Sequence, residues 1–132
     1  MTDARGLFRI VVWIGVLVNW TFGVWAVFFD PHALLNALRL GDQQDVTWLY
    51  NYSILLMILS LFYIPAANDP FRYRANAWLL IVGRLVPAST FLVGVVLGFM
   101  PAGFLGLMAG DGTIGLLELI LLIRIVRSGE AG

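Results

Sequence analysis

The sequence predicts an all-α protein, a four-helix transmembrane bundle with a short interfacial helix between spans 1 and 2. Three observations lead there. The 132 residues are 61% hydrophobic and only 12% charged, whereas a soluble domain carries about a quarter charged residues. The apolar residues gather in four runs, each near the roughly 20 residues that cross a hydrocarbon core. The arginines outside these runs fall mostly on alternate connections. A soluble fold of this length has too little interior for so many large apolar groups; a bilayer removes that limit.

The first span covers about residues 7–29, with Arg9 its only charge. Arg5 and Arg9 ahead of an apolar run could open a signal peptide. The run is too long and Trp-rich for that, and no small-x-small site follows, so a retained helix is expected. Asp30 and Pro31 then supply an N-cap and a first helical residue. From His32 to Leu40, His32, Asn36 and Arg39 form a polar stripe opposite Leu34, Leu35 and Leu38, the pattern of a helix lying in the membrane surface. Gly41 is expected to end it, and residues 42–45 to form an exposed turn.

The second span, about 46–66, begins with Trp48, Tyr50 and Tyr52, aromatics suited to the headgroup belt. Asn68-Asp69-Pro70 marks a turn, and Phe71 to Arg74 lead into a third span at about 75–99 that contains Pro87. Residues 99–110 are apolar and Gly-rich with Pro101 inside, a segment expected to dip into the membrane or to cover a partner. The fourth span is placed at about 111–127. All four belong to a single membrane domain, 1–132.

Topology follows from charge. Segments 1–9, 67–74 and 124–132 lie on one side with Arg5, Arg9, Arg72, Arg74, Arg124 and Arg127. The other side carries Arg39 beside Asp30, Asp42, Asp45 and Asp111. Excess arginine in short loops marks the cytoplasmic face, which puts both termini there.

Composition narrows the chemistry. There is no cysteine and no lysine, and all eight cationic side chains are Arg. Disulfides, thiolate metal sites, iron–sulfur clusters and Schiff bases are thereby excluded. A single histidine cannot make a bis-His metal or haem site, so no metal is expected, and His32 reads as a solvated surface residue. Zero net charge gives no attraction for nucleic acid.

Two ionisable residues fall inside spans, Arg84 in the third and Glu118 in the fourth. Such groups are costly in lipid and face the bundle interior. The two helices run antiparallel, and their rise per residue brings both charges near mid-depth, where an Arg84–Glu118 ion pair would keep them there. Two readings stand open: a structural clamp, or a ligand or proton site. Small and polar residues surround the charges. Gly15, Asn19 and Gly23 recur every four residues. Gly83, Pro87, Thr90, Gly94 and Gly98 share a face, as do Asp111, Gly115 and Glu118. Gly15, Gly23, Gly94 and Gly98 read as helix-packing positions of the small-xxx-small kind, Gly94 and Gly98 also as a route to a homo-oligomer. Pro87 removes the donor that the Gly83 carbonyl would otherwise receive, next to Arg84. Arg84, Glu118, Asn19, Pro87 and Asp111 therefore make the candidate mid-membrane pocket or structural ion pair. No residue is assigned a catalytic role.

Gly83-Arg84 in the third span, Asp111-Gly112 before the fourth and Glu118 within it resemble the order seen in the broad DoxX-like group of small bacterial four-helix membrane proteins. Phe29-Asp30-Pro31 followed by a short Leu-rich helix is similar too. The stretch between Arg84 and Asp111 is longer here than in that pattern. The resemblance covers most of the chain and implies a multi-pass protein of the bacterial cytoplasmic (inner) membrane, some of whose relatives accompany quinone-linked oxidoreductases.

Two functions follow as expectations. The first is a non-catalytic accessory subunit of a larger membrane complex, an oxidoreductase or respiratory assembly being what the resemblance implies, with no cofactor bound by this chain alone and with other membrane subunits or a second copy as partners. The second is a binder of, or enzyme on, a lipid, quinone or sterol-like molecule held at Arg84 and Glu118. An ion conductor ranks below both, because no helix offers a continuous polar path.

Overall fold

A computed structural model describes residues 3–128, and among them every regular element is helical. The elements are α1 (Ala4–Phe28), α2 (Pro31–Ala37), α3 (Thr47–Leu61), α4 (Ile64–Asn68), α5 (Arg74–Val96) and α6 (Phe104–Arg127). Four helical runs are long and apolar enough to cross a membrane: α1, the joined α3–α4 run Thr47–Asn68, α5 and α6. The protein is thus a small multi-pass membrane protein built as a four-span helical bundle. Residues 1–2 and 129–132, assigned to the arginine-rich side by the loop charges, lie outside the described residues.

Each boundary has a local cause. Asp3 caps α1 by accepting from the Arg5 N–H, and Asp30 caps α2 by accepting from His32 and Ala33 N–H groups, with Pro31 in the first turn. Asp45 accepts from the Thr47 N–H at 2.8 Å. Its hydrogen bonds to Thr47 hold the Asp45 carboxyl below its usual range. The second span tightens at Phe62 and Tyr63, whose N–H groups bond three residues back to Leu59 and Ser60 carbonyls. Pro65 explains this turn, since it cannot donate to the carbonyl four residues earlier.

α2 is present with its polar stripe outward, His32, Asn36 and Arg39 being exposed. Leu34 and Leu35 are buried against Ala26, Leu40 and Leu49, so α2 works as a cap over one end of the bundle. The helix also ends before Gly41. Arg39 takes the left-handed position at φ +56°, while Arg39 and Leu40 N–H groups bond back to Asn36 and Leu35 carbonyls.

Two expectations are corrected. The fourth span begins at Phe104, so most of the Gly-rich stretch at 99–110 is helix and Asp111 sits inside α6. A glycine costs a helix about 1 kcal/mol, less than the several kcal/mol of a backbone group left unbonded in lipid. Gly94 and Gly98 do not form one packing stripe, because α5 ends at Val96. Gly98, at φ +81°, terminates the helix: its N–H bonds to Val95 and that of Phe99 to Gly94. Gly94 makes room for Met100 of its own returning chain.

α1 packs on α3 and α6, α5 packs on α6, and α4 bridges α1 and α5. The larger core lies at the arginine-rich end, with Phe8, Val12, Tyr63, Leu80, Leu121 and Ile125 among its members. The smaller core lies beneath α2 at the acidic end.

Candidate functional site

Arg84 is the largest fully buried side chain of the described residues. α5 carries it inward on the same face as Leu80, Ile81 and Ala88. Its Nη1 donates to Asp111 Oδ1 at 3.0 Å, and its Nε stands 3.3 Å from Glu118 Oε2. Both carboxylates come from α6, where seven residues separate them by two turns and leave them on one face. Gly115 lies between them, and its missing side chain admits Arg84, whose Cβ a Gly115 Cβ would meet at 3.1 Å. From the opposite side, Nη2 presses on α1 at Gly15, where a Cβ would overlap the guanidinium. The Tyr63 ring covers another side, 5.9 Å from the guanidinium carbon.

The charges therefore form a triad rather than a pair. Glu118 is fully buried, while Asp111 keeps 22% of its side chain exposed. With all three ionised, the cluster holds one positive and two negative charges. Nη2 and both Glu118 oxygens are buried without a hydrogen-bond partner, so the triad rests on charge attraction more than on a saturated hydrogen-bond network.

Asn19 stands apart from Arg84 and is held from the other side. Ser60 gives its hydroxyl proton to the Leu56 carbonyl at 2.7 Å, so its oxygen is free to accept from Asn19 Nδ2 at 2.9 Å. That chain orients the Asn19 amide and leaves its carbonyl oxygen facing away from Ser60. Asn19 and Asp111 both line a cavity of about 180 Å³ between α1, α3 and α6, with Tyr52, Gly106 and Gly110 on its wall. A second cavity of about 390 Å³ lies toward the acidic end, lined by Gln43, Trp48, Phe91, Met100 and Phe104 among others. Phe22, Tyr52 and Leu107 belong to both linings. The two spaces adjoin there.

Of the residues singled out from the sequence, the structure brings Arg84, Glu118 and Asp111 into direct contact and sets Asn19 across the cavity from Asp111. Asp111 thus does not belong to the external acidic face. Pro87 lines neither cavity; it sits in an unbroken α5. Gly15 packs against Arg84 and Gly23 against Met57.

Tyr52, Tyr63 and Ser60 were not expected here. Tyr52 had the sequence signature of a headgroup anchor, yet it turns inward, edge-on to Phe22 at 6.0 Å. Its spacing from Leu49, Ser53 and Leu56 was the available signal: these positions recur at three and four residues, as one helix face requires. Ser60 had no such mark, since an apolar run conceals which of its hydroxyls points inward.

Among the described residues no three His, Cys, Asp or Glu side chains converge as a metal cage would require. What the site offers is a row of hydrogen-bond acceptors, Asp111 and the Asn19 carbonyl, at the foot of an aromatic-walled cavity. Fold and site together define a four-span membrane protein with a buried charge triad beside a cavity between α1, α3 and α6. No family model matches the chain, and comparison with curated proteins and with solved structures gives no match.

Proposed function

We propose that this protein is an intramembrane binding protein for a small hydrophobic molecule with a polar head, of the lipid, quinone or sterol-like kind. The adjoining cavities ending on Asp111 and Asn19 carry this reading. The larger, about 390 Å³, falls in the range of small-molecule sites, about 300–1,000 Å³, and the mixture of apolar walls and few polar groups in both is what such sites use. Native mass spectrometry of gently extracted protein tests it. The expected result is a retained small molecule that is lost in Leu107→Trp, which enlarges a side chain lining both cavities. A protein that carries no added mass, and that no lipid extract stabilises against heat, overturns the reading.

A second reading, a non-catalytic accessory subunit, draws on a separate feature. The outward groove along α1 and α2, about 790 Å³ and lined by Leu17, Trp20, Val24, Trp25 and Phe29, suits a partner's membrane helix as well as it suits lipid. A stoichiometric second subunit in mild detergent supports this role, and a lone stable chain counts against it. For either role the arginine distribution supports cytoplasmic termini. The resemblance to DoxX-like proteins supports placement in the bacterial inner membrane.

A further inference from the structure

The geometry points to a cationic, amine-headed amphiphile as the occupant of the cavity, an inference that rests on the binding reading above. The first ground is charge. Arg84 is the one cation facing two carboxyl groups, Asp111 and Glu118, at 3.0 and 3.3 Å. With both ionised the cluster carries an uncompensated charge, which is costly in apolar surroundings, so a balancing positive charge belongs close by.

The second ground is direction. Arg84 is 2% exposed, and its free Nη2 faces the backbone of Gly15, with no room left for a ligand. The positive member of the triad is turned away from the cavity and the negative member Asp111 is turned into it. Opposite stands Asn19, 4% exposed, its amide nitrogen committed to Ser60 and its carbonyl oxygen left over. An occupant therefore meets acceptors. An anionic head would meet the wrong sign, and a head bearing only carbonyls would find no partner in either group.

The third ground is the wall. Phe22 and Tyr52 line both cavities, and Trp48, Phe91 and Phe104 line the larger one toward the acidic end. Aromatic faces attract ammonium groups while accommodating the alkyl chain that follows. A protonated amine thus has a carboxylate and an amide oxygen at the foot, ring faces beside them, and exposed Asp42 and Asp45 at the acidic end of the bundle.

The test uses the full chain in nanodiscs of zwitterionic phosphatidylcholine at neutral pH, with calorimetric titration of dodecylamine, dodecanol and dodecanoate against empty nanodiscs. The amine is expected to bind about tenfold more tightly than the alcohol, and the carboxylate weakest. Asp111→Asn should bring amine and alcohol to within about twofold of each other, and Leu107→Trp should abolish binding of both. If Asp111→Asn does not fold, the wild-type ranking and Leu107→Trp decide. Equal affinity for amine and alcohol in the wild type means that the triad holds its own proton; the cationic class is then wrong while the binding reading survives. If no probe exceeds the empty nanodiscs, or Leu107→Trp binds unchanged, both fall together.

Discussion

The two halves of this bundle are built from the same kinds of apolar residue and reach opposite results. At the arginine-rich end, Ala66, Ala67 and Ala77 are buried between helices and let Phe8, Leu80, Leu121 and Ile125 close into a solid core. At the acidic end, the inward positions hold Phe22, Tyr52, Phe91 and Phe104, stiff rings that brace one another, as in the tilted Phe91–Phe104 pair at 5.3 Å, and leave cavities behind them. Small side chains permit close approach where large rigid ones prop the walls apart. The charge triad lies at the seam, with Glu118 reaching toward the solid half and Asp111 opening on the hollow one. Position along the helix therefore decides which carboxylate can meet a ligand.

The largest expected effect comes from breaking that seam. Arg84→Leu leaves two buried carboxylates without a cation and should cost about 3–5 kcal/mol, the range for removing one partner of a buried pair. Glu118→Gln leaves the 3.0 Å Arg84–Asp111 contact intact and should cost about 1 kcal/mol. Thermal melting followed by size-exclusion fluorescence in detergent separates them. Both variants melting with the unsubstituted protein would show that the triad contributes nothing to the fold.

Packing in the two halves gives the next contrast. Leu80 is fully buried in the solid core, and Leu80→Ala should cost about 2 kcal/mol, the low end for a core truncation because lipid solvates leucine as well as the core does. Phe91 borders empty space. Its truncation to Ala forfeits little beyond the ring pair, about 1 kcal/mol, and should widen the site enough to change which probes bind. A larger loss for Phe91→Ala than for Leu80→Ala would erase the distinction between solid and hollow halves.

What the sequence discloses follows the same division. Spans, loop charges and the buried charges were legible because lipid imposes rules that act along the chain: length, hydropathy and the cost of a buried charge. Arg84 and Glu118 could be paired because antiparallel helices and a fixed rise per residue set their depth. What one helix presents to another was less legible. Tyr52 reads equally well as an interfacial anchor and as a cavity wall until Phe22 is seen beside it. Asp111 followed by Gly112 looks like a turn until the penalty for unbonded backbone extends α6 back to Phe104. The glycines show the same limit, since a four-residue spacing cannot distinguish a packing face from the end of a helix.

Those glycines allow a graded test near the triad. Gly15→Ala drives a methyl into a guanidinium pinned by two carboxylates and by Gly115, and should cost about 2 kcal/mol. At Gly23 the obstacle is Met57, a flexible side chain that can turn aside. Gly23→Ala should therefore cost under about 1 kcal/mol. Gly6 has open space around it, and there alanine should be neutral or stabilise the helix by up to about 1 kcal/mol. The order of the three melting temperatures is the measurement, and Gly15→Ala melting as high as Gly6→Ala would show that Arg84 is free to move.

The smallest expected effect concerns the cap over the hollow half. α2 and α5 both end on a left-handed residue with the same pair of backbone bonds, but α5 uses Gly98 where α2 uses Arg39. A residue with a side chain pays about 1 kcal/mol for that conformation, and glycine relieves it while adding freedom to the unfolded chain, so Arg39→Gly should stabilise by about 0.5 kcal/mol or less. Arg39 is exposed, and the Gly103 backbone lies against the Arg39 carbonyl, not its guanidinium, so nothing inside the protein depends on the charge. A clear drop in melting temperature in nanodiscs, with none in detergent, would instead place the Arg39 guanidinium on lipid headgroups. The strained backbone would then be what aims that side chain at the membrane surface.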